Sequence, residues 1–149
     1  MLDTEEVRTF VQGTVHFFET ATGHPATVGS PYLCIDKAAV VQDYAGVIGI
    51  SGNREGKVYF TAPRGMLSVM LMCMNETDTG EQNVRDLVGE VANTISGNAR
   101  RDFGRDFVIS VPNVLAGEKP EIPNLPGSRS FVIPINWRSH SAKLIVSLK

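Results

Sequence analysis

The stretch that most constrains the fold is residues 83–103, which reads NVRDLVGEVANTISGNARRDF. Its apolar side chains recur with the period of an α-helix, which advances about 100° per residue. One stripe of such a helix carries the apolar residues Val84, Val88, Val91, Ile95 and Ala99. This spacing is typical of a helix packed against a core, so we predict one long amphipathic helix.

The opposite face of this helix is unusual because it combines carboxylates, an amide and glycine. Asp86, Glu90, Asn93 and Gly97 fall on one narrow strip. Gly89 and Gly97 lie inside the helix, where each glycine costs about 1 kcal/mol relative to alanine. We interpret the two glycines as positions where another backbone comes close. The strip is therefore the candidate functional face.

The composition is that of an ordinary globular chain. The 149 residues suit a single domain spanning residues 1–149, with a net charge of −2. This balance argues against binding to nucleic acid or to an anionic membrane. The N-terminus lacks a signal-peptide layout and no apolar run reaches the roughly 18 residues that span a bilayer, so we expect a cytoplasmic protein. Two cysteines and three scattered histidines show no metal-ligand spacing.

Two further helices are predicted, over residues 4–21 and 66–74. The first is expected to use Asp3 or Thr4 as its N-cap, with acidic residues in its first turn. The second is rich in methionine, and burial on most sides explains its composition more simply than binding of a soft metal or a partner. Thr61 is a possible cap for this second helix.

The remaining segments favour β-strands separated by turn residues. They are residues 26–36, 39–51, 57–61, 107–116 with a break at Pro112, 130–136 and 142–148. Pro134 indicates an edge position or a bulge for its strand. The predicted fold class is α+β, in which an antiparallel sheet packs against a helical layer.

The element order suggests an internal duplication of a helix followed by three strands. Gly23 and Gly104 each follow a long helix, and each is followed eight residues later by proline, at Pro31 and Pro112. The two helices are then offset by 81 residues. In this alignment Asp86, Glu90 and Asn93 correspond to Glu5, Thr9 and Gln12. The first half thus lacks the Glu/Asn pair, although chance similarity is the alternative explanation.

The amide and carboxylate of the strip have a specific chemical use. Asn can donate to and accept from one water molecule, and so can hold that water at a fixed angle. Hydrolysis of a phosphoryl group needs an attacking water placed in line with the leaving oxygen. A solvated polar face is nevertheless the simpler interpretation of Asp86, Glu90 and Asn93 from the residues alone. The chain has neither a GxSxG elbow nor a phosphate-binding GxxxxGK[ST] loop.

The segment of residues 86–99, DLVGEVANTISGNA, resembles the signature helix of the CheX/CheC/FliY family of chemotaxis phosphatases. That signature is Asp or Ser, three residues, Glu, two residues and Asn, which Asp86, Glu90 and Asn93 match. The flanking motifs ETATG, GVIGISG, ISVP and FVIP also resemble the family and occur in its order. The resemblance covers nearly the whole chain and implies a CheC-like fold.

The resemblance implies a phosphatase that acts on the aspartyl phosphate of a CheY-like response regulator, in chemotaxis or a related two-component pathway. Asn93 would orient the attacking water and Glu90 would pair with the active-site lysine of the regulator. Asp86 would contact the partner, with Gly89 and Gly97 making room for it. The chain would need no cofactor of its own, because the regulator supplies Mg²⁺. A homodimer is expected from the same resemblance.

Two departures leave alternatives open. Thr9 and Gln12 stand where other family members carry a second Glu/Asn pair, so one site per chain is expected, with Gln12 as a weak second site at most. The letters Glu121-x-x-Asn124 repeat the pattern between prolines that prevent a regular helix. The alternative function is a non-catalytic module of the same superfamily that binds a response regulator or dimerises.

Overall fold

The computed structural model of the protein describes residues 3–34, 39–40, 42–116, 121–122 and 130–148. Three α-helices lie in this part of the chain: α1 (Thr4–Thr22), α2 (Arg64–Cys73) and α3 (Glu81–Phe103). All three predicted helices are thereby confirmed. The central helix α3 begins slightly before the predicted boundary, directly after Gly80.

The ends of α1 follow from local chemistry. The Asp3 carboxylate accepts a hydrogen bond from the Glu6 N–H at 2.8 Å, and the Glu6 carboxylate accepts one from the Asp3 N–H at 3.1 Å. This capping box satisfies donors that have no partner within the helix. At the other end, Gly23 has a φ of 72° and donates its N–H to the Glu19 carbonyl at 3.2 Å. Of the two predicted N-caps, Asp3 is the one used.

Ten strands lie in the described part of the chain, and they pair only in antiparallel fashion. They are β1 (Ala26–Val28), β2 (Tyr32–Cys34), β3 (Ala39–Val40), β4 (Tyr44–Gly52), β5 (Gly56–Ala62), β6 (Phe107–Ile109), β7 (Asn113–Ala116), β8 (Glu121–Ile122), β9 (Ser130–Trp137) and β10 (His140–Leu148). Eight of them form one sheet in the order β1-β9-β10-β5-β4-β6, with β2 paired to β9 and β7 paired to β4. β3 and β8 form a separate two-stranded sheet.

The strand order has a twofold pattern that supports the predicted duplication. β5 and β10 pair at the centre, and the arrangement on either side is equivalent: β9 carries β1 and β2, whereas β4 carries β6 and β7. β1 and β6 begin 81 residues apart, the same offset as predicted for the helices. The prediction of three strands in each half was too low, because each half contributes five. The additional strands include β3 and β8, which have two residues each and are too short to show the alternation of apolar and polar residues that is typical of a strand.

Thr61 does not cap α2 as predicted. It is buried in β5, where its hydroxyl donates to the Tyr44 carbonyl at 2.8 Å and accepts from the Gln42 N–H at 2.8 Å. Pro63 is the N-cap of α2 and provides no side-chain hydrogen bond. The prediction was wrong because these sheet contacts, made by residues distant in sequence, engage the threonine hydroxyl.

Pro134 lies in an interior strand, so the predicted edge position was wrong, whereas the predicted alternative of a bulge is confirmed: residues 29–31 lie opposite only Ile133 and Pro134. β9 pairs with β10 on one side and with β1 and β2 on the other. Pro134 lies opposite the interval between β1 and β2, where its carbonyl accepts a hydrogen bond from the Gly29 N–H at 2.9 Å. The backbone carbonyl and nitrogen of one residue point to the same side of a strand, so the Pro134 nitrogen also faces the interval between β1 and β2. The hydrogen bond that proline cannot donate is therefore missing where neither strand pairs with β9.

The helices α1 and α3 pack against each other and against one face of the sheet. They meet where Gly13 of α1 faces Ile95 of α3. α3 comes very close to the sheet at Gly46 of β4, where a Cβ would lie 2.2 Å from the Val88 carbonyl oxygen. Only glycine fits at this position, and α3 is therefore held tightly against β4.

Candidate functional site

The structure places the polar strip of α3 away from the core. Asp86 and Glu90 are exposed, whereas Asn93 and Gly97 are half-buried. The residues of the predicted apolar stripe are each at most 1% exposed; they are Val84, Val88, Val91, Ile95 and Ala99. The assignment of the two helix faces from sequence periodicity is thus confirmed.

The three polar side chains of the strip differ in their hydrogen bonds. Asp86 accepts a hydrogen bond from the Gln82 side-chain amide at 2.8 Å, and Glu90 accepts one from the Thr94 hydroxyl at 3.1 Å. Each of these bonds spans one helical turn and leaves further lone pairs of the carboxylate available. Among the residues that the structure describes, the Asn93 carboxamide has no hydrogen-bond partner. Both its donor and its acceptor are therefore available to a ligand or a water molecule.

Residues 109–112, which connect β6 to β7, run beside the strip. Ile109 Cδ1 lies 3.9 Å from the position that a Cβ would take at Gly97, and Pro112 Cβ lies 3.3 Å from that position at Gly89. Because Gly89 and Gly97 are two helical turns apart, Asn93 lies midway between these two contacts. This neighbouring segment therefore borders the strip on either side of Asn93 and forms one wall of the site.

Gly89 makes its close approach within the protein itself. It is buried, and the room left by its missing side chain is filled by Pro112 and Val114, whose Cγ2 is 3.5 Å from the position of a Cβ. On the side that faces β4, a Cβ added at Gly46 would lie 3.0 Å from the Cα of Gly89. Internal packing accounts for this glycine, and its predicted contact with a partner stays a prediction. Gly97, by contrast, is only half-buried and has room for a methyl group.

Ser110 fixes the neighbouring segment to the sheet. Its N–H donates to the Gly49 carbonyl at 2.9 Å, and its hydroxyl oxygen accepts from the Gly49 N–H at 2.8 Å. The same hydroxyl donates to the Val111 carbonyl at 2.9 Å. A side chain thus continues the β4 ladder where the backbone of β6 leaves it, so the wall beside Asn93 is held in a defined position.

A shallow depression of about 270 Å³ lies on the other side of the strip, between α2 and α3. Leu71 and Leu87 supply apolar lining, and Asn83 and the carboxylates of Glu76, Asp86 and Glu90 complete it. Asp86 and Glu90 therefore border an open surface rather than a closed pocket. This shape suits contact with another macromolecule better than capture of a small molecule.

The first turn of α3 is anchored to the sheet and to α2 by a polar cluster. The Tyr44 hydroxyl donates to Glu81 Oε2 at 2.6 Å, and the Arg64 guanidinium donates to the same oxygen at 2.6 Å. The hydrogen bond from Tyr44, followed by that from Arg64, lowers the pKa of the Glu81 carboxyl. The pKa of Tyr44 is raised, first by its bond to Glu81 and then by burial. The cluster thus stabilises the ionised form of Glu81.

This cluster predicts a pH dependence that can be tested at one carboxyl group. A carboxyl with a lowered folded-state pKa stabilises the fold above its ordinary value of 4.5 and loses that contribution as the pH falls through the folded value. We expect Tyr44→Phe to raise the pKa of Glu81 towards its ordinary value, measured by NMR titration of the side-chain carboxyl. Tyr59→Phe, which alters a tyrosine outside this cluster, is the matched control. An unchanged Glu81 midpoint in Tyr44→Phe would contradict the assignment.

The equivalent face of α1 has different chemistry. Glu5, Thr9 and Gln12 are all near the surface, as the predicted alignment with Asp86, Glu90 and Asn93 requires. The Thr9 hydroxyl, however, donates to the Asp102 carboxylate of α3 at 2.9 Å. Thr9 is neutral where the family motif has a carboxylate. The weak second site at Gln12 stays a prediction.

The other sequence features contribute less to the site. Within residues 3–34, 39–40, 42–116, 121–122 and 130–148, no cluster of three or more His, Cys, Asp or Glu side chains could hold a metal ion. No helix in those ranges combines the length and the apolar character needed to cross a membrane. Glu121 begins β8, and Asn124 of the second Glu-x-x-Asn pattern lies outside the described residues.

Chemically, the site consists of an unengaged carboxamide at Asn93, two exposed carboxylates and an apolar wall. Such a face can orient a water molecule and bind a cation, but it has no nucleophile or closed pocket of its own. Sequence periodicity found the carboxamide and the carboxylates. It did not find the wall of residues 109–112, because that segment reaches α3 through the pairing of β6 and β7 with β4. The sequence signals there were Pro112 and the family-like motif ISVP, and neither indicated a contact with α3.

Comparison with protein families identifies a match over most of the sheet and the central helix. The model of the chemotaxis phosphatase CheX family matches residues 44–136, which is more than half of the chain and includes Asp86, Glu90 and Asn93. No curated protein sequence matches significantly.

Several solved structures have the same fold. The chemotaxis protein CheX from Desulfovibrio desulfuricans is 27% identical, with a TM-score of 0.84 over 97% of this chain and 98% of that one. A CheC-like superfamily protein from Shewanella sp. PV-4 is 22% identical, with a TM-score of 0.86 over 99% of both chains. The CheX of a CheX–CheY–BeF₃–Mg²⁺ complex from Borrelia burgdorferi is 19% identical, with a TM-score of 0.78 over 97% of both chains. The predicted CheC-like α+β fold is confirmed.

Proposed function

Because the chain belongs to the family of the chemotaxis phosphatase CheX, we propose that it hydrolyses the aspartyl phosphate of a CheY-like response regulator. The observation that carries the proposal is the unengaged Asn93 carboxamide on an open helix face, one turn from the exposed carboxylate of Glu90. The structure of a CheX–CheY complex from Borrelia burgdorferi supports a partner of this class. Chemotaxis or a related two-component pathway is the expected setting.

In this mechanism Asn93 is the catalytic residue that touches the attacking water. Its carboxamide oxygen accepts a hydrogen bond from the water and its NH₂ donates one, so the oxygen lone pair of the water is directed in line with the phosphorus. An acyl phosphate already has a good leaving group. Positioning of the water and stabilisation of the developing charge then supply most of the acceleration.

The two carboxylates have supporting roles. Glu90, exposed and one helical turn from Asn93, pairs with a lysine at the phosphorylation site of the regulator and so sets the angle at which Asn93 enters. Asp86, exposed one turn further towards the N-terminus, contributes a second contact with the partner. Mg²⁺ is proposed to come with the regulator, as the presence of Mg²⁺ in the Borrelia burgdorferi complex supports. Homodimerisation and a cytoplasmic location remain predictions from the sequence.

A substitution at Gly97 tests whether this glycine contacts the partner or has only a structural role. Gly97→Ala adds a methyl group only 3.9 Å from Ile109, so it fits, and removing a glycine from a helix should raise the free energy of unfolding by about 1 kcal/mol. If the regulator comes close at Gly97, the same change weakens binding. We expect higher stability in urea unfolding together with a higher KM for the regulator. Gly65→Ala in α2, where nothing lies within 4 Å, is the control; a normal KM in Gly97→Ala removes this glycine from the interface.

The function is tested with a panel of CheY-like receiver domains from the same organism. Each is phosphorylated with a small-molecule phosphodonor, and its dephosphorylation is timed with and without the protein in the presence of Mg²⁺. We expect faster decay for at least one regulator. Binding to a regulator without faster decay would instead support the non-catalytic docking module. Equal decay for all regulators with no binding would refute both.

A further inference from the structure

Val111 is the most exposed large apolar side chain in the described part of the chain, at 80% exposed. Single exposed apolar residues are common on protein surfaces, so exposure alone carries no functional meaning. What distinguishes Val111 is the segment it belongs to, which contacts α3 at Gly89 and at Gly97, one helical turn to either side of Asn93.

That position follows from two contacts on α3. Ile109 meets the helix at Gly97 and Pro112 meets it at Gly89. These levels are about 12 Å apart along the helix axis. Three residues of extended chain span at most about 10 Å, and the Ile109 side chain, which makes the contact at Gly97, covers the remainder. Ser110 and Val111 lie between these two contacts in the chain, and Asn93 lies midway between Gly89 and Gly97 on the helix, so Val111 belongs to the stretch that passes Asn93.

The segment is also held in place before any partner arrives. β6 and β7, which flank it, both pair with β4, and Ser110 adds two hydrogen bonds to Gly49. Pro112 restricts the backbone at the next position. A rigid apolar projection next to a catalytic side chain contributes to binding with little loss of conformational entropy.

We propose that Val111 is a docking residue that contacts the receiver domain of the regulator when Asn93 enters its phosphorylation site. This inference rests on the proposed function, because Asn93 can reach an aspartyl phosphate only if the surface around that phosphate comes up to the wall of residues 109–112. Val111 and Pro112 are apolar and exposed, so the matching surface of the receiver domain is apolar as well. Val111 positions the partner and does not touch the reacting atoms.

The test compares binding with catalysis. A receiver domain accepted in the panel is loaded with beryllofluoride and Mg²⁺, and its affinity is measured by titration calorimetry for wild type, Val111→Asp and Val111→Ile. We expect Val111→Asp to weaken binding about tenfold, to raise KM by a similar factor, and to leave kcat at saturation near wild type. Val111→Ile, which keeps the apolar contact, should bind almost normally.

Val108→Asp is the matched control. Val108 is also an exposed valine, at 47%, but it alternates with Phe107 and Ile109, which face the core, and so points to the other face of the sheet. Normal affinity in Val111→Asp, or equal losses in Val111→Asp and Val108→Asp, overturns the inference. The wild-type protein distinguishes the two proposals: if it accelerates the decay of no regulator the proposed function fails, whereas if it accelerates decay and Val111→Asp binds normally only the docking role fails.

Discussion

Replacing Asn93 with alanine is expected to reduce the acceleration of dephosphorylation by about 100-fold or more while the protein stays folded. Removal of one group that holds a reacting water or a developing charge typically costs a factor of 10²–10³ in kcat. The side chain is half-buried and has no hydrogen-bond partner among the described residues, so its loss breaks no internal contact of that kind. Single-turnover decay of a phosphorylated receiver domain measures the effect, and thermal unfolding checks the fold.

Asn98→Ala is the matched control for this change. Asn98 is on the same helix and is also half-buried, but it lines a depression against α1 with Gln12 and His16 rather than the polar strip. It should retain normal activity. Affinity for a beryllofluoride-loaded receiver should be nearly unchanged in Asn93→Ala, because the carboxamide acts on the water. Normal kinetics in Asn93→Ala would remove it from catalysis, and weakened binding with normal kcat would make it a docking residue.

Replacing Gly46 with alanine is expected to destabilise the fold strongly. The added Cβ would lie 2.2 Å from the Val88 carbonyl oxygen, 2.8 Å from its carbon and 3.0 Å from the Gly89 Cα. All three atoms belong to the backbone of α3, so no side chain can turn away to relieve the clash. Overpacking of this kind costs about 3 kcal/mol, which for a domain of this size lowers the Tm by roughly 10 °C.

The clash at Gly46 should also lower activity, because it changes the geometry of the candidate site. α3 must move away from β4, and that movement shifts Asn93 relative to the wall of residues 109–112, which β4 itself holds through Gly49. We therefore expect lower activity at temperatures where Gly46→Ala is still folded. Urea unfolding and single-turnover kinetics measure the two effects. Wild-type stability in Gly46→Ala would show that α3 does not approach β4 as closely as described.

The site could be predicted from sequence to the extent that it lies on one continuous helix. Asp86, Glu90 and Asn93 share a face because the α-helix has a fixed period, and no long-range contact is needed to bring them together. Gly89 was predicted to mark a close approach because glycine is costly inside a helix. Its neighbours were not predicted, since Gly89 meets Pro112, Val114 and the backbone beside Gly46, all distant in sequence.

The errors in the fold have a common physical origin. Thr61 was expected to cap α2, and the sheet edge was one of the two positions expected for Pro134; both expectations used only local preferences. Thr61 instead bonds to the β4 backbone at Tyr44, and Pro134 lies opposite the interval between β1 and β2. Such contacts join residues far apart along the chain, and local propensity does not contain them.

By itself, the sequence determined the helix α3, its buried and polar faces, the α+β class and the duplicated order, because each depends on a period or a spacing within a short stretch. Only the tertiary structure decided that the two halves join through β5 and β10, that Gly46 brings the sheet against α3, and that residues 109–112 stand beside Asn93. The physical reason is that pairing in an antiparallel sheet and packing of a helix on it are set by contacts between distant segments.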